Sequence, residues 1–184
     1  MANARCSLQP VPGERTSRCR QPALGWALSA ALLALVPPAG GEPAPEPAYL
    51  VVEAGAAEVF SHHRPALFGV QYRSREAWRG FHPYLIGGVD SDHSAYAGVG
   101  AMYLFNPSPR LRISVGTGPG YYLPGRTRRN LGEALEFATN LELSTGVGRG
   151  RRLGLNFAHL SNAGLGRSNP GAETLQLVFA VPLR

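Results

Sequence analysis

Lysine is absent from the 184 residues, so the 18 basic side chains other than histidine are all arginine. Cysteine is nearly absent: Cys6 and Cys19 both precede residue 20. The chain beyond them cannot build a disulfide framework or a cysteine metal site. No apolar run reaches the roughly 20 residues that a spanning helix needs. After Tyr49 no amphipathic helix longer than two turns can be traced. The densest groups of potential metal ligands are His62-His63 and Asp90-Ser91-Asp92-His93. Neither completes a ligand set, so both read as loop residues and no metal site is expected.

What is present begins with a targeting pattern. Arg5, Arg15, Arg18 and Arg20 precede an apolar run over residues 23–36. Pro37, Pro38, Ala39, Gly40 and Gly41 then supply the small residues that a signal peptidase prefers. The expectation is a signal peptide over residues 1–41, cleaved near Gly41, with a single membrane anchor as the alternative. Cleavage would leave 14 Arg against 11 acidic residues, a net +3 where the whole chain carries +6. That charge is too modest to argue for nucleic acid. Residues 42–48 (EPAPEPA) read as a mobile Pro-rich leader. Residues 49–184 are left as one domain.

Within that domain eight runs are bounded by turn chemistry: residues 49–58, 66–73, 81–90, 94–105, 110–122, 134–144, 152–161 and 172–183. Several alternate with a period of two. Leu111, Ile113 and Val115 alternate with Arg110, Arg112 and Ser114, and Phe68, Val70 and Tyr72 with Gly69, Gln71 and Arg73. The apolar face is large, which suits lipid; the other carries Gly98, Gly100, Gly116 and Gly118, which suits a tight interior. Tilted strands of this length cross the roughly 25 Å apolar band of an outer membrane. The predicted fold is therefore all-β, an eight-stranded antiparallel transmembrane β-barrel, with a secreted soluble sandwich or lipocalin-like barrel as the alternative. An even strand count puts both ends in the periplasm and the longer loops outside. Glu53, Arg73, Arg112, Glu136 and Glu142 are expected inside, as structural charges that pair with one another. Eight strands leave an interior just filled by side chains, so no pore is expected. Tyr72, Trp78, Phe81, Tyr84, Tyr96, Tyr103, Phe105, Tyr121 and Tyr122 read as an aromatic girdle. The ending Leu183-Arg184 departs from the aromatic residue on which such barrels often finish.

The last two runs carry the chemistry. Leu153, Leu155, Phe157, His159 and Ser161 share one face, because successive side chains alternate. Glu173 begins the matching face of the next run, Leu175, Leu177, Phe179, Val181 and Leu183. His159 and Ser161 stand about 6.6 Å apart along a strand, within leaning distance. An antiparallel return brings Glu173 opposite one or the other. A hydroxyl, an imidazole and a carboxylate so placed are the parts of a serine hydrolase triad. On a lipid face ionisable groups cost free energy, which makes them a functional hypothesis by default.

The stretch His159-Leu160-Ser161-Asn162-Ala163-Gly164, followed by Asn169-Pro170-Gly171-Ala172-Glu173, resembles the signature of the lipid A 3-O-deacylases, the PagL-type outer-membrane hydrolases. The resemblance covers about fifteen residues, and the eight-run layout extends it loosely along the chain. It implies an eight-stranded barrel whose active site lies on the outer wall and reaches lipopolysaccharide. It implies Ser161 as nucleophile, His159 as general base and Glu173 as the acid that holds the imidazole. Asn169, with a backbone N–H near Gly164, would form the oxyanion hole; Asn162 is given no catalytic step and reads as a loop-shaping residue. The reaction implied is hydrolysis of the ester that links a 3-hydroxyacyl chain to position 3 of lipid A, with no cofactor.

Arg126, Arg128 and Arg129 in one outer loop, and Arg167 beside the triad, are candidates to hold the lipid A phosphates, since arginine binds phosphate bidentately. Solvated loop charge is the competing reading. The partners expected are lipid A and the surrounding outer-membrane lipid, with a homodimer left open and no nucleic acid. Two other functions stay open on these residues: a non-enzymatic structural or adhesive barrel, and the same triad acting on another ester such as a phospholipid.

Overall fold

The computed structural model describes residues 46–75, 78–126 and 130–183. The expected signal peptide, most of the Pro-rich leader, Arg128, Arg129 and Arg184 lie outside them. Eight strands follow in order: β1 (Ala48–Ala57), β2 (Ala66–Arg73), β3 (Phe81–Asp90), β4 (Ala95–Phe105), β5 (Leu111–Leu123), β6 (Leu135–Gly146), β7 (Arg152–Ser161) and β8 (Ala172–Leu183). Each pairs antiparallel with the next, and β1 pairs with β8, so the sheet closes into a barrel with no free edge. Closure is what allows strands to lie in hydrocarbon, because every ladder group finds a partner.

The alternation read from the sequence sorts the side chains as expected. Leu85, Val99, Leu141, Leu155, Leu177 and Phe179 are exposed on the outer wall. The inward positions of the same strands are small or polar. Gly118 shows why: a Cβ there would run into the backbone of Val99 and Gly100 on β4. No helix among the described residues is long and apolar enough to cross a membrane; the strands do so instead.

Glu53, Arg73, Arg112, Glu136 and Glu142 are all buried in the lumen. Arg73 donates to Glu142 at 2.8 Å and to Gln71, and Gln176 donates to Glu53 at 3.0 Å. A buried charge paired and hydrogen-bonded in this way avoids the penalty that either partner would carry alone. Glu136 and Arg112 depart from the expectation: Glu136 has no ion pair among the described residues, and Arg112 pairs outside the set. Its partner is Glu46, just before β1, which also accepts from Tyr49. The end of the leader is thus tied to the barrel mouth, and Ala48, which the sequence assigned to the leader, opens β1. The girdle needs correcting too. Tyr84 is buried against Met102 and Leu104, and Tyr96 and Tyr122 line a small cavity of about 90 Å³ in the outer half of the lumen. Tyr72, Trp78, Phe105 and Tyr121 do face outward. Near a strand end both faces hold aromatics, so position alone does not decide which way one points.

Both described ends and the short connections 74–80, 106–110 and 147–151 share the inner rim. The opposite rim carries loop 1 (58–65), loop 2 (91–94), loop 3 (124–134) and loop 4 (162–171). Loop 4 joins β7 to β8 and carries the residues that matter below.

Candidate active site

His159 lies on the outward face of β7, two residues before the strand ends. Its cross-strand neighbour on β8 is Glu173 and on β6 is Thr139. Direct opposition settles which residue the carboxylate meets: Glu173 Oε1 is 3.2 Å from His159 Nδ1. Both side chains are partly open to the outer wall, at 45% and 28% exposure. With Nδ1 occupied, the other ring nitrogen is left for a second partner. Ser161 follows on the same face at the rim and is aligned with Phe137. Among the described residues no hydrogen bond joins Ser161 to His159. Such contacts are often long before substrate binds and shorten in the reacting complex.

Glycine makes room for the imidazole. Gly171 closes loop 4 with φ +66°, and a Cβ there would come within 3.0 Å of His159 Cε1 and 3.2 Å of the Leu160 carbonyl. Alanine would be strained in the left-handed region and would press on the ring. Since a displacement of about 1 Å at a reacting group can cost 10²-fold, Gly171→Ala is expected to lower turnover by about that factor while the barrel still assembles. Initial rates on lipid A, beside the heat-dependent mobility shift of a folded barrel, would check both halves.

The loop beyond Ser161 is built on Asn162. This side chain is fully buried, and each of its groups is used. Nδ2 donates to the Leu131 carbonyl at 3.1 Å and to the Ser168 carbonyl at 2.7 Å. Oδ1 accepts from the Gly164 N–H at 2.9 Å, and the Asn162 N–H donates to Asn169 Oδ1 at 3.0 Å. Ala163 and Gly164 are both left-handed, with φ +56° and +77°. Across the contact, Gly132 (φ +106°) has no space for a side chain between Ser168 and Asn162. Loop 4 is therefore locked to loop 3, and Leu131 is buried beneath it. Asn169 is fixed through its oxygen, which leaves its Nδ2 donors available. The Gly164 N–H is already engaged.

Replacing Asn162 with alanine would strip three hydrogen bonds and leave the buried Leu131 carbonyl unpaired. Such a group costs about 1–3 kcal/mol. The expected result is a loop that opens to protease and activity lower by about 10²-fold, with β-barrel mobility unchanged. Limited proteolysis with an assay on the same samples would test it.

Two residues at the site carried no signal that was read in the sequence. Phe60 in loop 1 is 77% exposed and packs on Phe157 of the outer wall at 6.2 Å between ring centroids. The preceding residue ties loop 1 to the site, because the Val59 N–H donates to the Glu173 carbonyl at 3.2 Å. Thr139 flanks the imidazole on the side away from Glu173, and its hydroxyl lies 3.5 Å from that of Thr117 on β5. A single aromatic among the turn residues of loop 1 was the available clue to the first. The second needed the β6–β7 register. Of the predicted arginines, Arg126 and Arg167 are exposed in loops 3 and 4. His63 of the flagged histidine pair meets Asp92 at 2.6 Å and joins loop 1 to loop 2.

Comparison with known proteins follows the geometry. The family described as lipid A 3-O-deacylase (PagL) matches residues 66–182, more than half the chain. The fold is similar to the crystal structure of the outer membrane enzyme PagL, with TM-score 0.56 and 19% identity, covering 73% of this chain and 99% of that one. It is also similar to Neisserial surface protein A, with TM-score 0.53 and 11% identity over 74% and 97% of the two chains. A de novo designed transmembrane β-barrel aligns with TM-score 0.51 and 13% identity over 77% and 100%. At these identities the structures speak for the fold alone. No curated protein sequence matches the chain.

Proposed function

Because the chain belongs to the lipid A 3-O-deacylase (PagL) family, outer-membrane carboxylic ester hydrolases, we propose that it removes the 3-O-linked 3-hydroxyacyl chain of lipid A through Ser161, His159 and Glu173. The carrying observation is the imidazole–carboxylate pair on the lipid-facing wall, with a hydroxyl on the same face at the rim. A soluble ester would not need such a wall. A substrate already in the outer leaflet meets it by lateral diffusion.

In this reading Glu173 fixes the proton on Nδ1, so Nε2 is the base. Ser161 Oγ attacks the ester carbonyl and passes its proton to Nε2. The tetrahedral intermediate collapses when Nε2 returns that proton to the departing sugar 3-oxygen, leaving an acyl-serine. Water, deprotonated by the same nitrogen, then attacks the acyl-serine and frees the fatty acid. The negative charge on the carbonyl oxygen needs donors that are already in place. Asn169 Nδ2 is one, held by its bond to the Asn162 N–H. A backbone N–H of the Ala163–Gly164 turn is the other; the Gly164 N–H serves only if it leaves Asn162 Oδ1. Phe60 and Phe157 would guide the acyl chain on the hydrocarbon side.

Arg126 and Arg167, with Arg128 and Arg129, are proposed to hold the lipid A phosphates by charge-assisted bonds. Residues 1–41 are proposed as the export signal that delivers the barrel to the outer membrane. Mass spectrometry of lipid A from cells with and without the protein tests the reading. Loss of a single 3-hydroxyacyl group from position 3 supports it, and an unchanged lipid A profile overturns it.

A further inference from the structure

The inner rim carries an excess of positive charge. Its three turns, 74–80, 106–110 and 147–151, hold five arginines and one acid in sequence. Arg75, Arg79, Arg110, Arg149 and Arg151 are all exposed, and none is ion-paired with a described residue. Each turn contributes at least one, so the charge runs round the rim rather than forming a patch on one side. The described acid nearest by, Glu46, is committed to Arg112 and Tyr49. The outer rim differs, since its loops mix Glu58, Asp92 and Glu133 with their arginines.

The first turn shows how the rim meets a membrane. Trp78 is exposed and stacks on Phe81 at 6.0 Å, and Phe81 packs edge-on to Tyr103 at 5.5 Å. The Arg79 guanidinium lies 5.3 Å from the centre of the Trp78 ring. Gly80, at φ +85°, allows this close approach, since a Cβ would reach 2.7 Å from the Tyr103 ring. Aromatic rings of this kind sit at headgroup level, which places Arg79 at the same depth. The turns are also braced: Arg152 donates to the Arg110 carbonyl at 3.1 Å across the gap from the third turn to the second.

We propose that this rim is a docking surface for net-negative glycerophospholipid headgroups of the inner leaflet, held as guanidinium–phosphate pairs around the barrel. Guanidinium binds phosphate through two parallel hydrogen bonds, and basic residues beside an anionic leaflet are attracted to it within a Debye length. The surface is separate from the triad, at the opposite end of the strands.

The test reconstitutes the full barrel in vesicles of phosphatidylglycerol and phosphatidylethanolamine at 1:3, extracts it in mild detergent and quantifies the retained lipids by mass spectrometry. About fivefold enrichment of phosphatidylglycerol over the vesicle ratio is expected for the unaltered protein. The enrichment should vanish when Arg75, Arg79, Arg110, Arg149 and Arg151 are all changed to Gln, and persist when all five are changed to Lys. Deacylase activity should stay unchanged in both. If the Gln variant does not assemble, extraction of the unaltered protein at low and high salt decides the matter: enrichment must fall with salt. No enrichment, or enrichment indifferent to both the variant and salt, overturns the proposal.

Discussion

Cells that produce Ser161→Ala should show an unmodified lipid A profile while carrying as much folded barrel in the outer membrane as cells with the unaltered protein. The argument has two parts. Chemically, on the proposed mechanism, removal of the hydroxyl removes the atom that forms the acyl intermediate. In enzymes that use such a trio, loss of the nucleophile costs about 10⁴-fold or more. Structurally, the change should be silent. Ser161 is the last residue of β7, its side chain faces outward, and no hydrogen bond of the fold runs through its hydroxyl among the described residues. Lipid A mass spectrometry measures the first part and the mobility shift of unheated barrel the second. Full deacylation by this variant would remove Ser161 from the mechanism.

A loss nearly as large is expected from Glu173→Gln, and it should exceed that of Glu173→Ala. On the proposed mechanism the carboxylate accepts from Nδ1–H, which leaves Nε2 as the acceptor for the Ser161 proton. An amide in the same place can turn its NH₂ toward Nδ1 and so hold the ring in the opposite tautomer, with the proton on Nε2, where it blocks proton transfer from Ser161. The expected drop in kcat is about 10²–10⁴-fold, with KM nearly unchanged because the group acts through the ring and not on the lipid. Alanine removes the support without enforcing the wrong tautomer. Steady-state rates on lipid A in mixed micelles for the three proteins would rank them. Equal rates for Gln and the unaltered enzyme would exclude Glu173 from orienting the imidazole.

The barrel was legible because a strand facing lipid on one side and a packed lumen on the other must alternate with a period of two. Hence β2, β3, β7 and β8 begin and end where the pattern does, and the remaining strands shift by only one or two residues. The His159–Glu173 meeting was half legible. Loop length brought the carboxylate near the two candidates, but only the register shows that it faces the imidazole. What escaped depends on contacts between distant segments. Asn162 reads as one loop asparagine among several, whereas its partner Leu131 lies 31 residues earlier, in another hairpin. The tyrosines were misassigned because a position near a run end does not say which face a ring takes, and glycines at 100 and 120 leave space for the rings of Tyr84 and Tyr96 inside.

The lock between the third and fourth loops bears on how this enzyme can be diversified. Because one amide side chain fastens Leu131 and Ser168 together at the rim that carries Ser161, those two loops form a single structural unit. Chimeras that import a foreign 162–171 segment alone should lose function, and those that transplant residues 130–133 along with it should keep it.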